Sequence, residues 1–403
     1  MILVVVDSME RCYFFLRLAR PVRREFAFLF LVSEPLAWGL LTLAGYPAVY
    51  VRARRRRLAP AATADPGGAT AAIEVLNARM PVARARDDAR EAWRVARMLV
   101  RRHRIAQCVL WNGQQLLCRA VARACVERRV PLRFLELSNL PDKLFADPLG
   151  VNALSSLAAA PDALDALDAL PLPSDALHRR WLARYEAYKA RPLPQATTRP
   201  VRKLLSACNY LLKHATHGVA RLDRRALRVA QALPPPREAL ALDPATLMRR
   251  RYVFLPLQVA GDTQLRLHSD VDNLQAIEQA VRIAQAAGAD LIVKLHPAEY
   301  DAAELARVLA SQRRHRFALA TTPTLELIRH AAAVVTINST VGLEAMLHGK
   351  PVAAFGRCFY RSFDHARLLK YIHGFLVDGI DYFATGAIAP DAARRVFGGG
   401  RER

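Results

Sequence analysis

Short apolar runs alternate with stretches of helical period from the first residue onward, and this alternation limits the fold more than any other feature. Residues 1–7 (MILVVVD) are followed by a helical pattern over 10–20. An apolar run at 26–33 (FAFLFLVS) is followed by a helical pattern over 34–45, and AVYVRA occupies 48–53. A continuous apolar run of this length marks a strand covered on both faces, as in a parallel sheet. The order β-α-β-α-β is that of one half of a doubly wound domain.

The alternation continues with a basic helix at 87–103, a strand at 108–113 (CVLWNG), a helix at 114–128 and a strand at 131–137 (PLRFLEL). Residues 138–156 (SNLPDKLFADPLGVNALSS) have no clean period, so they read as an ordered loop at the strand ends, where parallel α/β folds build their sites. After short helices at 158–173 and 174–189, residues 191–200 (RPLPQATTRP) read as a linker. A basic helical region then fills 201–232 and stops at the triple proline 234–236. A second alternation starts at 252–258 and runs through strands at 291–297, 317–320, 333–338 and 351–356. The expected class is α/β, with two Rossmann-like domains forming a two-lobed molecule. The expected bounds are 1–160 for the first domain, 161–250 for a helical basic connection, and 251–403 for the second domain with a tail.

A chain of 403 residues, 53% of them apolar, is long enough for two cores. The formal charge of +23 calls for an anionic partner, or reflects an arginine-rich coding bias; composition leaves both open. No recognition fold or interleaving of aromatic and basic residues accompanies the charge, so nucleic acid is not the expected partner. The six cysteines show no CxxC pair or zinc spacing and read as buried free thiols of a reducing cytoplasm. No basic segment precedes the apolar start, so it does not read as a secretion signal. The hydrophobic stretch 26–51 is interrupted by Glu34, Pro35 and Pro47, short of a membrane span. The expected location is cytoplasmic, with peripheral contact to the inner membrane through the basic 201–232 region.

Three segments carry the chemistry. In KLHP (294–297) a strand ends in Lys294, His296 and Pro297. Proline fixes the turn and presents the imidazole at the carboxyl edge of the sheet, where it can donate to a phosphate. In TINSTVGLEAMLHGKP (336–351) a strand ends at Asn338, Ser339 and Thr340 and a helix begins at once, so free N–H groups and two hydroxyls favour an anion. Gly342 is expected to let a ligand approach the first turn. Glu344 lies one turn in, suited to a ribose or base or simply to the helix dipole. The third segment, 256–270, is a polar loop carrying Gln258 and Asp262. Asp270 and Asp272 match a metal-binding DxD but read as a helix start, so neither metal nor cofactor is called for.

Taken together, FLPLQVAGDTQ, KLHP and VVTINSTVGLEAMLHGKPVAAFGRCFY resemble the capsule polysaccharide biosynthesis family, which includes bacterial β-Kdo transferases. LELSNLPDKLFADPLGVNALSSL looks like the branch that starts the lipid-linked Kdo linker. The resemblance implies a GT-B-like arrangement, a CMP-sugar donor (CMP-Kdo) and a lipid acceptor such as lysophosphatidylglycerol. It also implies other capsule assembly proteins as partners. It places the CMP phosphate at His296, Ser339 and Thr340, and the three segments add Gln258, Asp262, Lys294, Pro297, Asn338 and Glu344 as expected donor-binding residues. The resemblance implies a carboxylate nucleophile in the first domain, with retention at the anomeric carbon, for which the matching segment offers Glu136, Asp142 and Asp147. Glu136 leads because it sits at a strand end, but the acidic pair found in other branches is missing, since Leu137 follows it. A catalytically silent scaffold, or the same scaffold with another nucleotide-sugar donor, is the alternative.

Overall fold

The structure is a computed structural model that describes residues 1–53, 68–189, 200–223 and 232–398, with backbone alone for 200–203. The strands in chain order are β1 (Ile2–Val6), β2 (Phe28–Val32), β3 (Ala48–Tyr50), β4 (Gln107–Trp111), β5 (Leu132–Leu137) and β6 (Lys143–Asp147). There follow β7 (Ala239–Leu240), β8 (Tyr252–Pro256), β9 (Asp290–Lys294), β10 (Ala318–Ala320), β11 (Ala333–Thr336), β12 (Val352–Ala354) and β13 (Val377–Asp378). They form two sheets, ordered β13-β6-β5-β4-β1-β2-β3 and β12-β11-β8-β9-β10-β7. The second sheet is parallel throughout, and the first is parallel from β5 to β3.

The chain divides into two compact units, one of 1–156, 173–228 and 372–403, the other of 157–172 and 229–371. Each is Rossmann-like, the α/β class the alternation predicts. The first core joins Val4, Phe15, Phe30 and Trp111 to Val396 and Phe397 from the end of the chain. The second packs Leu255, Ile277, Val293 and Val335 on one face of its sheet, and Phe254, Ile292 and Leu327 in a separate cluster.

Each sheet reverses its strand order once. In the first, β1 is followed outward by β2 and β3, and the chain then returns to the other side of β1 for β4 and β5. In the second, β8 leads to β9 and β10 before β11 and β12 form on its other side. Loops leaving the two strands at such a reversal diverge, which opens a crevice at their carboxyl ends.

The sequence reading departs from the structure in several places. Residues 138–156 contain β6, antiparallel to β5, and 256–270 contain a helix, Thr263–His268. Residues 372–398 belong to the first unit, where β13 extends the sheet beside β6, rather than to the second as the 251–403 boundary had it. Strand pairing over such distances leaves no periodic mark in the sequence. The basic region is a helix at Pro200–Ala215, while Arg224, Arg225 and Arg228 fall outside the described residues, as do Arg54 to Arg57 and the 191–199 linker. Lys213 is no surface charge: it is buried, with its Nζ 2.5 Å from Glu34. Four cysteines are buried, but Cys208 is exposed and Cys358 partly so. No described helix is long and apolar enough to cross a membrane.

Candidate functional site

In the second unit, KLHP ends β9 as a β-turn. The Glu299 N–H donates to the His296 carbonyl at 3.0 Å, with Pro297 at the second turn position, where its fixed φ fits. The Ala298 N–H donates to His296 Nδ1 at 3.1 Å. In the neutral ring this leaves the proton on Nε2 of an exposed side chain, facing away from the turn. Partial desolvation lowers the His296 pKa below the usual imidazole value. Lys294 acts in the same direction, while Asp262 and Glu299 oppose it.

Lys294 is half-buried, and its Nζ donates to the Thr322 carbonyl at 2.6 Å. Burial pulls its pKa down to about 8. Lys294, His296 and Pro297 line a cavity of about 240 Å³ together with Pro234, Pro235 and Thr321.

The residue that holds this corner together was not singled out in the sequence. Glu299 is buried. Its Oε1 accepts the N–H groups of Tyr300 and Asp301, both at 2.9 Å, and its Oε2 accepts that of Ala260 at 2.9 Å. The carboxylate therefore straps the loop after β8 to the turn after β9. Asp262 caps the helix Thr263–His268 by accepting the Gln264 N–H at 2.8 Å. Burial raises its pKa, and His296 partly offsets that shift.

At the strand-order reversal, between β8 and β11, the crevice is filled by side chains. Gln258 Nε2 donates to Asn338 Oδ1 at 3.0 Å, and the Asn338 N–H donates to Gln258 Oε1 at 3.2 Å. Asn338 Nδ2 also donates to the Gln264 carbonyl at 2.9 Å. These two amides, expected as ligand contacts, are spent on joining the loop to the strand end. Asn273 clamps the same loop through the backbone of Gln258.

Ser339 Oγ accepts the Val341 N–H at 3.2 Å, and the Ser339 carbonyl accepts that of Gly342 at 3.0 Å. The start of Val341–Leu347 is thus partly satisfied from within the chain. Gly342 serves packing rather than ligand approach: a Cβ there would lie 2.5 Å from the Tyr360 hydroxyl, which itself donates to the Ser339 carbonyl. Glu344 is buried in the same helix. With β8 between β9 and β11, the His296 and Ser339–Thr340 corners are separated by two strand spacings, roughly 10 Å; the two motifs are not on adjacent strands. Asp270 pairs with Arg357 at 2.6 Å, and Asp272 caps the helix Asn273–Ala286.

In the first unit the three candidate carboxylates fare differently. Asp147 is fully buried. Its oxygens accept the N–H groups of Leu149, Gly150 and Ser156 and the Ser156 hydroxyl, so it closes a loop and has nothing left for a substrate. Asp142 sits at φ 55° on an exposed turn, its carboxylate 4.0 Å from Arg184. Glu136, half-buried, accepts the Leu137 N–H at 2.9 Å. By strand alternation it faces away from the side that Leu137 presents.

Leu137 instead lines a cavity of about 470 Å³ at the carboxyl ends of β1, β2, β4 and β5, together with Asp7, Glu34, Glu74 and Trp111. Glu34 is paired with Lys213 and Asn209. Glu74 accepts the Leu116 N–H, and burial pushes its pKa up to about 7. The only sequence signal for this cluster was that the first apolar run ends in Asp7.

Two parallel-sheet units, each with polar groups gathered where the strand order reverses, define an α/β protein of the two-Rossmann-unit class. The model of the family described as capsule polysaccharide biosynthesis protein matches residues 121–363. This is more than half of the chain, and the protein belongs to that family. Among curated relatives, the capsule polysaccharide export protein KpsS of Escherichia coli is 34% identical over 122 residues, covering 28% of this chain and 31% of that protein. Protein FixF of Sinorhizobium fredii (strain NBRC 101917 / NGR234) is 38% identical over 117 residues, 27% of each chain. Each match spans less than a third of the relative's length. Among solved structures, Thermosulfurimonas dismutans KpsC, a beta Kdo 2,7 transferase, is similar over 78% of this chain and 90% of its own, with a TM-score of 0.40 and 16% identity.

Proposed function

We propose that this protein is a glycosyltransferase that moves Kdo from CMP-Kdo to a hydroxyl of a lipid acceptor, with lysophosphatidylglycerol as the expected acceptor. The observation that carries the reading is the His296 turn: an exposed imidazole whose Nδ1 is occupied and whose Nε2–H has no hydrogen-bond partner among the described residues. Next to it stand Lys294 and a cavity sized for a pyrimidine ring.

In the proposed reaction the bond from the anomeric carbon to the CMP phosphate oxygen breaks. CMP leaves as an anion, stabilised by His296 and by the hydroxyls of Ser339 and Thr340. A carboxylate takes the anomeric carbon as CMP leaves; the acceptor oxygen then forms the new glycosidic bond, releasing the carboxylate, and its proton passes to the departed CMP phosphate, with retention overall. Glu136 remains the leading carboxylate of the segment that resembles the family's, while Asp147 is excluded by its own hydrogen bonds. Gln258, Asn338 and Asp262 position the loop rather than touch the donor.

Contact with an anionic inner-membrane surface is part of the proposal. The helix Pro200–Ala215 leaves Leu204 and Leu211 about two-thirds exposed, an apolar face suited to a bilayer surface.

The test is calorimetric titration with CMP, UDP and GDP. Wild type should prefer CMP. His296→Ala, and Ser339→Ala with Thr340→Ala, should each weaken CMP by about 1–3 kcal/mol per lost charge-assisted bond with unchanged unfolding midpoints. Wild-type CMP affinity in His296→Ala would defeat the donor assignment. A preference for UDP or GDP would move the protein to another donor.

A further inference from the structure

The 470 Å³ cavity of the first unit lies at the reversal between β1 and β4, where a doubly wound sheet takes its ligand. Asp7, the residue that follows β1, lines it. Asp7 Oδ2 accepts from Arg11 Nη1 at 2.5 Å. Among the described residues Asp7 Oδ1 is buried and has no hydrogen-bond partner, an arrangement that lowers stability unless a donor arrives. One wall is aromatic: the Arg11 guanidinium lies 5.6 Å from the Trp111 ring centroid, and Tyr382 stands 4.7 Å beyond. Arg79 lines the rim. Carboxylate, guanidinium and aromatic face together suit a hydroxylated, anionic head.

Glu10 and Tyr382 also line a second cavity of about 360 Å³, whose other walls are mainly Tyr13, Phe14, Leu16, Phe383 and Ala384. This wall is a built feature. Arg17 donates to the carbonyls of Asp381, Tyr382 and Gly386, and the Asp381 carboxylate accepts the N–H groups of Phe383 and Ala384. The loop is therefore pinned at both ends. A polar cavity and an apolar one that share two side chains match the two halves of one amphiphile.

We propose that the two cavities form a single bipartite site for a one-chain amphiphile. A hydroxyl of its head other than the reacting one would donate to Asp7, its anionic group would lie at Arg11 and Arg79, and its hydrocarbon chain would run along Leu16, Phe383 and Ala384. The site rests on the reading that the acceptor is a lipid, and it names where that lipid binds.

The experiment titrates the full chain by calorimetry with lysophosphatidylglycerol below its micelle concentration and, separately, with glycerol 3-phosphate. Wild type should bind the lysolipid at least tenfold more tightly. Ala384→Trp, and independently Thr385→Trp, should erase that advantage and leave glycerol 3-phosphate and CMP binding unchanged. Arg79→Met should weaken both glycerol probes about tenfold and leave CMP unaffected. Equal binding of the two probes by wild type, or a lysolipid advantage that survives both tryptophans, overturns the site. Binding as expected without any Kdo transfer would uphold the site and remove the transferase reading. Transfer to lysolipid with an unaltered KM in both tryptophan variants would do the reverse.

Discussion

Replacing Glu299 by Gln isolates the strap that positions the donor corner. The substitution keeps size and shape, and the amide oxygen can still accept from Tyr300 and Asp301. The atom facing the Ala260 N–H becomes an NH₂, so a buried donor loses its acceptor and meets another donor. The lost bond has a length of 2.9 Å and a charged acceptor; such bonds contribute about 1.5–3 kcal/mol, and an orphaned donor costs a similar amount. Converted at 1.36 kcal/mol per decade, local opening at Ala260 should become roughly ten- to a hundredfold more frequent. Native-state hydrogen exchange reads this directly at the Ala260 amide, with amides of β9 as internal controls. The loop carrying Asp262 should loosen with it, so CMP affinity should fall, and the His296 pKa should drop further because the Glu299 charge no longer opposes the desolvation shift. If Ala260 keeps its full protection in the Gln variant, the strap is not what holds the loop, and the account of this corner fails.

Four further outcomes follow from named groups. Burial raises the Glu74 pKa from 4.5 to about 7, so the folded state holds a proton that the unfolded chain releases. Stability should therefore fall as pH rises from about 4.5 to 7, by roughly 3 kcal/mol in all, and Glu74→Gln should flatten that slope in urea titrations. An anion bound near Lys294, at about 8 in the free protein, should raise its pKa; CMP binding above pH 8 should take up a proton, visible as a buffer-dependent calorimetric heat. Gly342→Ala should cost about 1–3 kcal/mol by displacing Tyr360, measured by thermal unfolding, with Ser339 shifted and CMP weakened. Lys213→Met should cost about 3–5 kcal/mol by stranding Glu34, whereas a membrane-facing lysine would leave unfolding unchanged; vesicle binding measured alongside separates the two.

The elements were legible because parallel strands buried on both faces are continuous apolar text, and β1, β2, β8, β9 and β11 all fell where such text lies. β6, β7 and β13 were not legible. They are short or at sheet edges, and β13 joins β6 from the far end of the chain, a pairing that no local period records. At the site, KLHP was readable because a proline after a strand fixes where the preceding side chain goes. The roles of Gln258 and Asn338 were not. Polar residues in a loop look the same whether they face a ligand or each other, and only the hydrogen bonds between β8 and β11 separate the cases. Gly342 misled for the same reason: the absence of a side chain says that something comes close, and here it is Tyr360.

The two strand-order reversals are furnished in opposite ways, and this bears on whether the chain is an enzyme or a silent scaffold. In the second unit the crevice is plugged by the Gln258–Asn338 pair, and the groups able to meet an anion stand to either side of it. In the first unit the crevice is open and gathers Asp7, Glu34 and Glu74 around Arg11 and Lys213. Desolvated carboxyls and a partnerless Oδ1 lower the stability of the folded chain. A scaffold that only holds partners has no use for them, and apolar side chains of the same volume would serve it better. Buried polar atoms without a partner among the described residues occur in both units, Gln264 Oε1 and His268 Nε2 among them, but in the first unit Asp7 Oδ1 and Asn77 Oδ1 line the open cavity at the strand-order reversal, where a bound ligand can compensate them. A ligand that fits carboxylates beside guanidiniums carries both hydroxyls and negative charge, and the lipid acceptor of the proposed reaction has that chemistry.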